Sequence, residues 1–334
     1  MMDGETAATR QWGRWSGLAA GMRRQLLPRA GLWLAVGAVL ALILVWVGLS
    51  PRVTLDSGWT LKMLGLVAAA CLATAYRHLR GHIFDERLDT FFRLLMVVIY
   101  AALMMQCLRV LNHLGMSLAM PLADHWLMAT DEVLGFDWNG YARWAISHPW
   151  LRWYLIFAYN MLINIMIAAI VLGALLRGRH ERIDEAAFLV LASGLVCIAV
   201  SSLFPAEAAW NTVAAPEVKA MLGGEPGANW RTQFMDLRTA EHIRLAPAGM
   251  EGLATFPSFH TCLGLTILWC SRGNWLGFAA GSIAGLSVVA ATPVFGGHYL
   301  VDVLAGAVLM GLLIACWQGT AAMRREAAQV AGRT

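Results

Sequence analysis

Charge is what this sequence has least of. Aspartate, glutamate, lysine and arginine make up 14% of its 334 residues, and 59% are hydrophobic. An ordinary soluble domain carries about 25% charged residues. With a mean hydropathy of +0.59, the chain is too apolar for a disordered segment, a coiled coil or a soluble enzyme. A net charge of +4 spread over so much apolar sequence makes no basic patch, which excludes a nucleic-acid partner. Lysine is nearly absent, at Lys62 and Lys219 only. The six cysteines, Cys71, Cys107, Cys197, Cys262, Cys270 and Cys316, form no Cys-x-x-Cys pair. That argues against a zinc ribbon or a disulfide framework, and all six read as buried small hydrophobes. Internal repeats and low-complexity tracts are also missing.

What is there is a series of apolar runs. A membrane helix needs roughly 20 mostly apolar residues. The runs fall at about 31–49, 60–76, 93–111, 151–176, 186–204, 257–271, 275–292 and 298–317. The expected fold is an all-α polytopic membrane bundle of about eight transmembrane helices. It divides into an amino-terminal tail (1–30), two additional helices (31–92), a six-helix membrane domain (93–317) and a carboxy-terminal tail (318–334). No small-residue cleavage site follows the first run, which reads as an uncleaved anchor.

Arginine placement sets the expected sidedness, because short cytoplasmic loops are enriched in basic residues. Arg10, Arg14, Arg23, Arg24, Arg29, Arg77, Arg80, Arg87, Arg93, Arg177, Arg179, Arg182, Arg272, Arg324, Arg325 and Arg333 fall on one side, 16 of the 25 basic residues. Both termini are then cytoplasmic. Two longer loops face the exterior. Residues 112–150 carry Asp124, Asp131, Glu132 and Asp137 among Trp126, Trp138, Trp144 and Trp150, a pattern expected to lie along the membrane surface. Residues 205–256 are richer in proline, glycine and charge and suit a lid or headgroup site.

Ionisable groups at membrane depth are rare and usually functional. Phe256-Pro257-Ser258-Phe259-His260 opens the sixth run, and Gly296-Gly297-His298-Tyr299-Leu300-Val301-Asp302 opens the eighth. The arginine-based topology puts both on the exterior face. His298 and Asp302 are four apart, one helical turn on one face. A carboxylate there can fix the imidazole tautomer and make the other nitrogen a better nucleophile. His260 can supply a proton to a leaving group. A helix starting near Ser258 points free N–H groups at a phosphate, and Gly296 and Gly297 allow close backbone approach. Gln106, Arg109, Asn112 and His113 form a third polar group, at the exterior end of the third run. Asn160 and Asn164 share a face of the fourth and read as helix–helix hydrogen-bonding groups.

At these residues the sequence resembles the type 2 phosphatidic acid phosphatase superfamily, which carries Pro-Ser-x-His and then Ser-Arg-x5-His-x3-Asp. Pro257-Ser258-Phe259-His260 is similar to the first motif throughout; His298 and Asp302 match the end of the second. The Ser-Arg pair falls at Ala291-Thr292, and the upstream Lys-x6-Arg-Pro motif is not recognisable. Both departures resemble the branch that contains inositol phosphorylceramide synthase. So do Thr292-Pro293-Val294-Phe295-Gly296-Gly297-His298-Tyr299 with Asp302, the stretch from Ala123-Asp124 to Leu134-Gly135-Phe136-Asp137-Trp138, and Phe204-Pro205.

The resemblance implies phosphoryl transfer through phosphohistidine on His298, with Asp302 orienting it and His260 protonating the departing oxygen. It implies no metal and no cofactor. The substrate is expected to be a phosphorylated membrane lipid, reached from the exterior leaflet of a bacterial inner membrane. Phosphate-binding candidates are Ser258, Gly297, Tyr299 and, in place of the missing motif arginine, Arg238 and then Arg244. Two alternatives stand beside this reading: a phosphatase for an isoprenyl carrier-lipid pyrophosphate, and a transporter or haem-bearing membrane protein using His260 and His298 as gate or ligands. Neither transport nor haem binding accounts for Asp302 one turn after His298 together with Ser258 two residues before His260.

Overall fold

The computed structural model describes residues 28–80, 86–223, 229–246 and 249–331. Arg10, Arg14, Arg23, Arg24 and Arg333 of the sidedness argument lie outside them. The described chain is a helical bundle whose long elements are α1 (Ala30–Leu49), α2 (Ser57–Leu79), α3 (Glu86–Met116), α6 (Pro149–Leu176), α7 (His180–Leu203), α12 (Trp275–Phe295) and α13 (Leu300–Ala331). These seven are long and apolar enough to cross a membrane, so the protein is an integral, multi-pass membrane protein.

The expected sixth span is shorter than the rest. Helix α11 (Phe259–Cys270) has 12 residues. At 1.5 Å per residue it covers about 18 Å, against a hydrocarbon core of about 30 Å. Irregular backbone precedes it, because Pro257 removes a donor and Ser258 caps the first turn.

The loop expected at 112–150 holds α4 (Asp124–Val133) and α5 (Trp138–Ser147). The loop expected at 205–256 holds α8 (Ala209–Thr212), α9 (Pro216–Leu222) and α10 (Trp230–Thr239). Trp126, Trp144 and Trp150 are exposed, as a surface segment requires, but Trp138 is buried. Its indole belongs to the core that supports the site. The cysteine expectation also needs correction: Cys71 and Cys316 are exposed, on outer faces of helices whose neighbours are themselves exposed hydrophobics such as Leu72 and Leu312.

A two-stranded parallel sheet ties the additional helices to the rest. β1 (Val53–Leu55) pairs with β2 (Ile243–Leu245). The Arg52 guanidinium donates to the carbonyls of Ala240, Leu237 and Ser117. At another contact, Arg29 Nε meets Asp184 at 2.7 Å, and Trp33 packs edge-on against Tyr100. Arg272 and Arg182 converge on Glu185, which also accepts from Trp269 Nε1. Asp184 and Glu185 are both buried, and burial of a carboxylate is tolerable because each is paired.

Small residues bring α11 and α12 into close contact. A Cβ at Gly285 would lie 2.3 Å from the Gly264 carbonyl oxygen. Gly306 on α13 likewise abuts the Ser258 carbonyl, at 2.6 Å from an added Cβ. Gly285→Val should therefore cost about 1–3 kcal/mol through overpacking. A lower melting temperature of the detergent-solubilised protein is expected; an unchanged one would show that the helices separate at no cost.

Candidate active site

The site is built around the start of α13. Gly297 has φ of +69°, a left-handed conformation suited to glycine, and turns the chain out of α12 so that His298 and Tyr299 precede the helix. His298 Nδ1 faces Asp302 Oδ2 at 3.0 Å, and the Tyr299 N–H donates to the same oxygen at 3.1 Å. His298 is 4% exposed and Asp302 0%. The one-turn spacing seen in the sequence is thus realised as a contact. The Asp302 carbonyl also accepts from the Ser258 N–H at 3.0 Å, so the Pro-Ser-x-His segment is hydrogen-bonded to the His-x3-Asp helix.

The first turn of α13 begins with that Asp302 cap of the Tyr299 N–H. Its next donors are satisfied from α4: the Asp131 carboxylate accepts from the N–H groups of Leu300 at 2.7 Å and Val301 at 2.9 Å. A carboxylate at a helix N-terminus satisfies orphan donors and is favoured by the helix dipole. Trp138 Nε1 donates to the His298 carbonyl at 3.1 Å. Burial raises the Asp131 pKa, and its two backbone donors oppose that rise.

Tyr299 is fully buried, and its hydroxyl meets Asp124 Oδ1 at 2.9 Å and Thr212 Oγ1 at 2.5 Å. It joins α4 and α8 to the site and presents no free hydroxyl. Asp124 also accepts from the Glu207 N–H, and burial raises its pKa against these hydrogen bonds.

His260 lies in the first turn of α11. Its ring stacks on Tyr159, with centroids 4.1 Å apart, and its Nδ1 is 3.1 Å from the Tyr159 hydroxyl. Tyr159 sits in a π-helical turn, Ala158–Leu162, that interrupts α6. A Cβ added at Gly296 would lie 2.7 Å from the Tyr159 hydroxyl and 2.8 Å from His298 Cδ2. The two histidines therefore share one small region around Gly296. Ser258 is fully buried, and its hydroxyl accepts from the Thr261 N–H as the cap of α11.

The two candidate arginines separate. Arg238 on α10 donates to the Met120 carbonyl at 2.8 Å and lies over the Phe234 ring. Burial lowers its pKa, and the charges of Glu207 and Asp124 oppose that shift. Its NH1 atom is buried and without a hydrogen-bond partner. Arg244 lies on β2 and pairs with Asp56 at 2.5 Å, which holds the Asp56 carboxyl below the usual range. It lines a cavity of about 370 Å3 with His113, Gln233, Asp236 and Met250. Neither His260 nor His298 lines that cavity.

Asn160 and Asn164 bond back to carbonyls of their own helix, Ile156 and Asn160, instead of bridging helices. Asn112 Oδ1 accepts from the Leu253 N–H, and His113 bonds Gln233, so these two residues of the third polar group fasten the segment ahead of the Pro-Ser-x-His motif. Tyr159, Asp131 and Trp138 as site supports were not found from sequence. The acidic residue in a tryptophan-rich stretch was visible, but nothing in its spacing pointed to His298.

Residues 125–316 match the model of the PAP2 superfamily. That is more than half of the chain, and the protein belongs to this superfamily. No curated protein and no solved structure matches it. The membership supports a phosphatase or phosphotransferase of the PAP2 type acting at a membrane.

The Asp131 cap gives a direct test. Asp131→Ala should cost about 1–2 kcal/mol of stability and lower turnover, with Asp131→Asn intermediate because one acceptor oxygen is kept. Wild-type melting and turnover in the alanine variant would remove Asp131 from the support of the site.

Proposed function

We propose that the protein transfers the phosphoryl or phospho-headgroup part of a membrane lipid through a phosphohistidine on His298. The observation that carries this reading is the His298–Asp302 contact with His260 beside it around Gly296. His298 Nε2 attacks phosphorus and the phosphorus–oxygen ester bond breaks. His260 gives its proton to the leaving oxygen. Water or a lipid alcohol then attacks the phosphohistidine, His260 takes its proton, and neutral His298 is released. Asp302 fixes the tautomer of His298 and stabilises the positive charge that the ring acquires.

Arg238 supplies the cation that the motif position, Thr292, lacks. The buried, unpartnered NH1 atom supports that role, since guanidinium binds phosphate oxygens well. Ser258 and Gly297 contribute through the backbone they position. The exposed apolar faces of the bundle support a substrate drawn from the surrounding lipid. The convergence of Arg29, Arg182 and Arg272 on Asp184 and Glu185 agrees with a cytoplasmic end rich in arginine, which leaves the histidines on the exterior side. The branch resemblance favours transfer of a headgroup phosphate to a lipid alcohol, as in inositol phosphorylceramide synthesis.

Purified protein incubated with labelled phosphatidic acid, isoprenyl diphosphate, or phosphatidylinositol plus ceramide tests the reading. Turnover of at least one lipid is expected, with a loss of roughly 10³-fold or more in His298→Ala. Full turnover by that variant, or none by the wild type on any of the three, contradicts it. Arg238→Lys should lower turnover by about 10-fold or more with the melting temperature unchanged, because a point charge replaces a planar fork. Wild-type turnover in that variant would remove Arg238 from the site.

A further inference from the structure

His298 has a carboxylate at Nδ1, whereas His260 has a phenol. The difference matters because the two rings need opposite properties. A nucleophilic imidazole gains from a negative partner, which stabilises the positive charge it acquires on attack. An imidazole that must release a proton and take it back gains from a neutral one, because a carboxylate would hold the proton on the ring. Tyr159 meets that requirement. It is half-buried, its face covers the His260 ring at 4.1 Å, and its hydroxyl stands 3.1 Å from Nδ1.

Local backbone geometry explains why Tyr159 is there. In the π-helical turn at Ala158–Leu162 the backbone bonding of α6 shifts by one residue. Such turns rotate the side chains within them relative to the rest of the helix, and they recur at functional sites. The hydrogen-bonding faces on either side serve other partners: Tyr154 meets Ser287, and Asn160 bonds back to Ile156. Gly296 is also part of the arrangement, because a Cβ there would collide with both the Tyr159 hydroxyl and His298.

We infer that Tyr159 is the positioning residue of His260, fixing its ring plane and occupying Nδ1 so that protons leave and return through Nε2. This rests on the phosphohistidine reading above. In the first half-reaction the Nε2 proton passes to the leaving oxygen as the phosphorus–oxygen bond breaks. In the second, Nε2 accepts the proton of the attacking water or alcohol as the phosphorus–nitrogen bond breaks. Tyr159 neither gains nor loses a proton in either step.

The test compares leaving groups on the full-length protein in detergent. One substrate is the lipid ester that the wild type turns over. The other is an analogue with a 4-nitrophenyl leaving group, which departs without protonation. Tyr159→Phe keeps the stacked ring and removes only the hydroxyl. It should lower kcat on the alkyl ester by about 10–100-fold, a fraction of a full general-acid effect. KM should stay within about twofold, and the first-turnover burst of 4-nitrophenolate, which reads the leaving step alone, within about threefold. His260→Ala should show the same selectivity more strongly. Equal losses on both substrates, or none on either, would overturn the role of Tyr159 while selectivity in His260→Ala leaves the acid–base reading standing. Loss of selectivity in His260→Ala itself would overturn that reading, and the inference with it.

Discussion

A carboxylate with no exposed surface, set against an imidazole in an apolar bundle, is the interaction on which the rest depends. Asp302 is buried among helices, where an unpaired charge would be costly. It is held because one of its oxygens serves His298 and the Tyr299 backbone together. The same residue accepts from the Ser258 backbone. One side chain and one carbonyl therefore fix both histidine-bearing segments relative to each other. If that contact failed, α11 and α13 would keep their helical propensity but lose their common register at the site.

The segments between the long helices are the scaffold for this contact. Asp124, Asp131 and Trp138 come from the stretch between α3 and α6, and Thr212 comes from the stretch after α7. They form a polar network over the start of α13, and buried networks of this kind hold one geometry when their members are satisfied. Glu207 extends the network toward the surface: its N–H donates to Asp124 and its carboxylate meets Arg231. The aromatic residues left exposed in the same segments, Trp126, Trp144 and Trp150, suit a membrane–water boundary. One stretch thereby holds the start of α13 from within and turns its aromatic residues outward.

The parts legible in sequence were those with local signals. Apolar runs gave the helices, and a four-residue spacing gave the His298–Asp302 contact. The parts that were not legible depend on pairs far apart in the chain. Asp131 caps a helix 169 residues away, and Asp56 takes Arg244 across 188 residues. Neither pairing leaves a trace in spacing. Tyr159 escaped for a different reason: helical periodicity assumes 3.6 residues per turn, and a π-helical turn breaks that count at the residue concerned. Trp138 looked like its surface neighbours because composition does not separate one buried indole from three exposed ones.

In the proposed reaction it is His298 that forms the bond to phosphorus. Rapid quench of the protein with the labelled lipid it turns over, followed by proteolysis and mass spectrometry, measures this directly. A phosphorylated peptide containing His298 is expected, stable in alkali and labile in acid, and sharply reduced in Asp302→Asn. Label on His260, on a hydroxyl residue in acid-stable form, or on no residue during active turnover would contradict it.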